Sequence, residues 1–255
     1  MSRARSPRPT NTTFGSASNF VNLLLFTRDD RVDEQHIRVC DRRLLHLLQV
    51  NRAVVGDSLR VGEIDGQVGT AQVVEIDNTQ ALLAFTLDSA PPEKLPLSLI
   101  LALPRPKMLR RILRGAAEFG VAELHLLHSY RVEKSYWQTP VLQQTTVREY
   151  LLQGLEQSRD TVLPTVHCHR RFKPFVEDVL PGMIEQRLAL LAHPGDYPPC
   201  PRGITENTLL VVGPEGGFIP YEVEKLEAAG CQTVSLGPRI LRVENAVTSL
   251  LGRLF

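Results

Sequence analysis

The chain has 255 residues, with 29 Lys and Arg against 28 Asp and Glu and a formal net charge of +1. An apolar fraction of 43% fills real cores over one large domain or two smaller ones, which excludes a disordered or low-complexity chain. The near-neutral balance excludes a global pull on nucleic acid, so any basic footprint must be local.

Residues 1–19 are basic and rich in Ser, Pro and Asn, with no apolar stretch of signal-peptide length, and are expected to form a disordered tail. Residues 20–90 are expected to form a small β-barrel. Short β-type runs occur at Val21–Phe26, Ser58–Val61, Ala71–Ile76 and Ala81–Thr86, with Asp65-Gly66 as a hairpin signal between two of them. One short helix, Asp41–Val50, opens on a capping Asp and carries Leu44, Leu45, Leu47 and Leu48. The prolines of the Asp88–Pro96 stretch then break the pattern.

From residue 97 to 255 strands and helices alternate. Apolar strands are expected at Leu97–Leu103, Glu123–Leu127, Thr165–Cys168, Leu188–Ala192, Thr208–Val212 and Thr233–Leu236. Helices are expected at Lys107–Phe119, Val141–Arg159, Phe175–Gln186, Tyr221–Ala229 and Glu244–Leu254. This is an α/β domain with a mostly parallel sheet, in which ligands sit beyond the carboxyl ends of the strands. Cys40, Cys168, Cys200 and Cys231 lack zinc-ligand spacing and read as reduced thiols of a cytoplasmic protein. No stretch approaches transmembrane length.

Three loops at strand ends carry Gly and Pro. One is Val212-Gly213-Pro214-Glu215-Gly216-Gly217-Phe218, with Pro220 and two acids opening the next helix. It lacks the Lys-Ser/Thr of a P-loop, and acids at a helix start would repel phosphate, so a ligand without phosphates fits better. The second is Leu236-Gly237-Pro238-Arg239-Ile240-Leu241-Arg242-Val243-Glu244-Asn245-Ala246, and the third follows Ala192 as His193-Pro194-Gly195. On one sheet edge the three would line one cleft.

The Gly213 and Gly237 motifs, in that order, resemble the paired signature of the ribosomal small-subunit RNA (uracil-N3)-methyltransferases, the RsmE family. Pro106-Lys107, Ala117-Glu118-Phe119-Gly120-Val121, Glu156-Gln157-Ser158 with Arg159 and Pro164, and His46-Leu47 with Arg52 extend the likeness over the chain from about Asn22. The resemblance implies a PUA-like β-barrel that binds RNA, followed by a SPOUT-type α/β domain with a C-terminal trefoil knot, and a homodimer. It implies S-adenosyl-L-methionine as cofactor. Ala192, His193, Gly213, Pro214, Glu215, Gly216, Gly217, Leu236, Gly237, Ile240, Leu241, Asn245 and Ala246 would hold it, largely through backbone groups. It implies 16S ribosomal RNA, or the small ribosomal subunit, as the methyl acceptor. The chain departs from the family where Arg-Thr-Glu-Thr-Ala becomes Arg242-Val243-Glu244-Asn245-Ala246, with two hydroxyls lost.

The helix after Pro106 carries Lys107, Arg110, Arg111 and Arg114 within an arc of about 100°, opposite Met108, Leu109, Ile112, Leu113, Ala116 and Phe119. With Arg105 beside it, this one-sign stripe suits RNA phosphates. His46, Arg52 and Arg159 are further RNA-contact candidates. Tyr130, Tyr136 and Trp137, beside Arg131 and Lys134, suit a local core or the dimer interface better than base stacking. Methyl transfer needs alignment and a dry pocket more than a metal. Arg242 is the expected phosphate or uracil-oxygen partner, and Glu244 a base or a helix cap. A non-catalytic RNA-binding homologue and a methyltransferase for another RNA site are the alternatives. A nucleotide hydrolase is disfavoured by the missing phosphate-binding lysine.

Overall fold

The computed structural model describes residues 22–255; the tail expected over residues 1–19, and Val21 of the first expected strand, lie outside them. Two sheets are built, each over its own core. The first contains β1 (Leu24–Phe26), β2 (His36–Val39), β3 (Ser58–Glu63), β4 (Val68–Ile76) and β5 (Ala81–Ser89), in the order β1-β3-β4-β5-β2. Its pairs are antiparallel except β1 with β3, and its two edge strands do not pair, so it is a half-barrel. Helix α1 (Arg42–His46) and the wide turn Leu47–Asn51 drop Leu44 and Leu47 onto this core, while Leu45 remains exposed. The Asp41 carboxylate caps α1 by accepting the Arg43 N–H at 2.9 Å, as its position in the sequence implies. Strand β2 was not expected: its alternation is real, with Ile37 and Val39 buried, but four residues in a charged stretch give a weak period.

The second sheet has six strands: β6 (Leu95–Ala102), β7 (Val121–Leu127), β8 (Thr165–His169), β9 (Leu188–Ala192), β10 (Thr208–Val212) and β11 (Gln232–Val234). All its pairs are parallel, in the order β11-β9-β10-β6-β7-β8. Strand β10 is buried along its whole length and β6 from Leu97 onward, which is why both read as unbroken apolar runs rather than alternating ones. Helix α2 (Pro106–Glu118) lies between α3 (Gln144–Ser158) and α7 (Val243–Leu254). Gly154 of α3 sits against the Arg114 carbonyl and Ala117, an approach that a side chain there would block. The helix expected over Phe175–Gln186 runs from Phe172 to Ile184 without a gap, as α4 (Phe172–Pro174), a π-helical turn Phe175–Val179 and α5 (Leu180–Ile184). Pro181 has no N–H for a regular α-helical ladder, which accounts for the widened turn. Helix α6 (Pro220–Ala228) follows β10.

The two units are joined through Glu156 and Thr161. The Glu156 carboxylate accepts from Arg42 at 2.6 Å, its carbonyl accepts the Leu23 N–H at 2.9 Å, and the Thr161 carbonyl accepts the Asp65 N–H at 2.9 Å. Leu23 and Leu25 bury their side chains in the larger core.

At the β7–β8 edge, His125 stacks on His167 with ring centroids 4.6 Å apart and bonds His169 at 3.0 Å between ring nitrogens. Burial first, and then the charges of His167 and His169, hold His125 down to about 4, with Glu123 pulling the other way. The ordinary value is 6.5, so between these two values the unfolded chain takes up a proton that the folded one refuses. Stability is therefore present above pH 6.5 and lost as pH falls toward 4, by up to about 2 kcal/mol. Urea midpoints at pH 7.5 and pH 5 check this, and His125→Asn is expected to flatten most of the difference.

Candidate active site

Strands β9, β10 and β11 end level with one another, because Ala192 is in register with both Val212 and Val234. Their three loops therefore leave the sheet from one line and enclose a cleft that opens to solvent. One wall is His193 and Pro194; a second is Gly213, Pro214, Glu215 and Gly217; a third runs from Ser235 through Leu241. Val243, Ala246 and Leu250 of α7 complete the lining.

Each loop is held by its own bonds. Gly213 packs under Phe218, whose ring would lie 3.2 Å from a Cβ placed there. The Gly217 N–H donates to the Pro214 carbonyl at 2.8 Å, and Gly217 sits at φ +73°, a left-handed conformation natural to glycine. Gly237 is also left-handed, at φ +111°, and its N–H donates to the Ser235 hydroxyl at 3.1 Å. Backbone bonds from His193 to Val234 and from Cys200 to Ser235 tie the first loop to the third. Glu215 accepts the Arg105 N–H at 2.9 Å, which fixes the start of α2 beside the cleft.

The carboxylate of Glu222, only 2% exposed, accepts the Ile219 N–H at 3.1 Å and the Tyr130 N–H at 2.7 Å. It thus supplies the anion at the start of α6. A phosphate would have to displace it, so the helix N-terminus beside the cleft is not a phosphate site.

Of the residues expected to hold a cofactor, Ala192, His193, Gly213, Pro214, Glu215, Gly217, Leu236, Gly237, Ile240, Leu241 and Ala246 line the cleft. Gly216 lies instead under Arg131, and Asn245 is exposed on the groove between α2 and α7. Arg239 and Ser235 line the cleft without having been singled out. Arg239 stood in the quoted motif; Ser235 belongs to the β11 segment and carried no signal of its own.

Arg242 is exposed at the N-cap of α7, between two cleft-lining residues, and Glu244 lies 3.8 Å from Arg111 in the α2–α7 groove. Neither lines the cleft. Arg105, Lys107, Arg110 and Arg111 are exposed. Arg114 departs from the expected stripe: half-buried, it places its guanidinium 4.9 Å from the Tyr150 ring centroid and packs α2 against α3. Phe119, expected on the apolar side, is 38% exposed where α2 ends. His46, Arg52 and Arg159 are exposed, with Arg159 the left-handed C-cap of α3. Trp137 is buried and donates its indole N–H to His128 at 2.9 Å, so it closes a local core, while Tyr130 is 77% exposed. All four cysteines are free, and no helix among the described residues is long and apolar enough to cross a membrane.

A family model for the RNA methyltransferase domain matches residues 91–254, and the chain belongs to that family. More particularly, it is similar to the ribosomal RNA small subunit methyltransferase E of Treponema pallidum, 26% identical with 89% of this chain and 87% of the relative covered. The protein of the same name from Synechocystis is 29% identical, with 94% and 79% covered. A Neisseria gonorrhoeae ribosomal RNA small subunit methyltransferase E, solved bound to S-adenosyl methionine, shares the fold with a TM-score of 0.71. It is 21% identical and the match covers 90% of this chain and 96% of that one.

Proposed function

We propose that the protein transfers a methyl group from S-adenosylmethionine to N3 of a uridine in 16S ribosomal RNA. The observation that carries the proposal is the convergence of three level strand-end loops on one cleft. The cleft fits that cofactor: its walls are largely apolar, and its glycines let backbone groups approach a ligand. The internally capped α6 favours a ligand without phosphates. The names of the relatives agree with this reading.

When bound, S-adenosylmethionine supplies an electrophilic methyl group on a sulfonium. The chain's own part is to exclude water with Val212, Leu236, Val243 and Leu250, and to present the RNA through Lys107, Arg110 and Arg111. Arg239, in the cleft wall, and Arg242, at its rim, are the cations available to a uracil oxygen or a phosphate. Glu244 is given the structural role, since it faces Arg111. The half-barrel from Leu24 to Ser89 is taken as a PUA-like RNA-binding module and residues 97–255 as the SPOUT domain. The C-terminal knot is part of the same reading. A homodimer covering Ile240, which is 81% exposed beside the cleft, completes it and is checked by sedimentation.

The test is transfer of tritium from methyl-labelled S-adenosylmethionine to small-subunit RNA, naked and assembled, followed by nucleoside analysis. N3-methyluridine is the expected product. Cofactor binding without transfer to either substrate would identify a non-catalytic RNA-binding homologue, and a different methylated nucleoside another RNA site.

A further inference from the structure

The segment leaving β7 makes contacts that its sequence does not suggest. Ser129 is fully buried and Val132 is 4% exposed. Between them, the Tyr130 N–H donates to the buried Glu222 carboxylate at 2.7 Å. The Arg131 guanidinium donates to the Gly216 carbonyl, in the middle of the loop that forms the second wall of the cleft. The aliphatic stem of Arg131 also covers Gly216 so closely that a Cβ there would lie 2.9 Å from Arg131 Cδ. Gly217, next in the chain, needs glycine for its left-handed backbone; Gly216 does not, since its φ is not in that region. What a side chain at 216 would displace is the arginine lying over it.

Burial lowers the pKa of His193, and Arg131 lowers it further while Glu227 acts the other way, so the Arg131 charge reaches a residue of the first wall. Glu222 holds the far end of the same loop through Ile219. One segment of chain therefore holds the 213–219 turn from outside the cleft, at its middle through Arg131 and at its far end through Tyr130 and Glu222.

We infer that Arg131 is a positioning residue for the cofactor: its guanidinium and stem, seated on Gly216, hold the 213–218 loop in the shape that binds S-adenosylmethionine. This rests on the proposed identity of the cleft. It also gives a role to a segment that the sequence left between base stacking, a local core and a dimer interface.

The experiment is calorimetric titration of S-adenosylmethionine into the full chain and into Arg131→Ala, Arg131→Lys, Gly216→Ala and the Arg131→Ala/Gly216→Ala double variant. Arg131→Ala is expected to weaken binding about tenfold, with Arg131→Lys restoring most of it because an ammonium can still donate to the carbonyl. Gly216→Ala, whose methyl displaces the arginine, should match Arg131→Ala, and the double variant should be no weaker than either. Melting temperatures without ligand should stay within about 2 °C of the parent, which a merely structural loss would not allow. Wild-type affinity in Arg131→Ala or Gly216→Ala, or losses that multiply in the double variant, would overturn the inference. If Arg131→Ala does not fold, Gly216→Ala decides alone: a loss of about tenfold supports the inference and parental affinity overturns it. A parent protein that gives no binding heat would instead sink the assignment of the cleft.

Discussion

Ala246→Trp is expected to weaken S-adenosylmethionine binding by at least about 100-fold while leaving the chain folded. Ala246 lies in the first turn of α7, with Val243 and Leu250 on the same wall of the cleft. An indole placed there brings about 200 Å² of side-chain surface into the space the ligand needs. Ala246 is only half-buried, so the ring can be accommodated toward the open cleft rather than in the core. Ala246→Ser, which adds one oxygen, should bind within about threefold of the parent. Calorimetry checks both, with a thermal melt as the control for folding. An Ala246→Trp protein that binds normally would place the ligand elsewhere.

The second large effect concerns the exposed cations of α2. Replacing Lys107, Arg110 and Arg111 together with Ala should weaken binding to small-subunit RNA by about 100-fold at moderate salt and leave cofactor affinity unchanged. Because each phosphate contact releases condensed counterions, the salt slope should also fall by about 2 to 3 in absolute value. Arg114→Ala is the internal control. Its guanidinium lies over Tyr150 between two helices, so its loss should lower the melting temperature with no change in salt slope. A triple variant that keeps the parent's slope would move the RNA interface off this helix.

Most of the fold was legible where a period or a run is long. The buried strands β6 and β10 and the amphipathic helix α2 were placed within two residues of their ends. Strand β2 was not, since two buried positions in four residues carry little signal. The helix expected from Phe175 forms, but its first turn widens to a π-helical one ahead of Pro181, whose missing N–H was visible in the sequence. The cleft was legible because its loops announce themselves by Gly and Pro, and because parallel sheets gather such loops at one edge. The support behind it was not. Arg131 and Gly216 are 85 residues apart, and Tyr130 and Glu222 are 92 apart, contacts that only the chain path creates. Glu222 drew notice as an acid that would repel phosphate, whereas its carboxylate bonds two backbone N–H groups. Arg114 fits the basic stripe by angle alone, and only its neighbour on α3 removes it.

Helix α7 serves two faces at once: Val243, Ala246 and Leu250 line the cleft, while its Glu244 faces Arg111 of α2. A polyanion that draws Arg111 away therefore acts on the helix that closes the cofactor's wall, and linkage makes the effect mutual, so each ligand is expected to change the affinity for the other by the same factor.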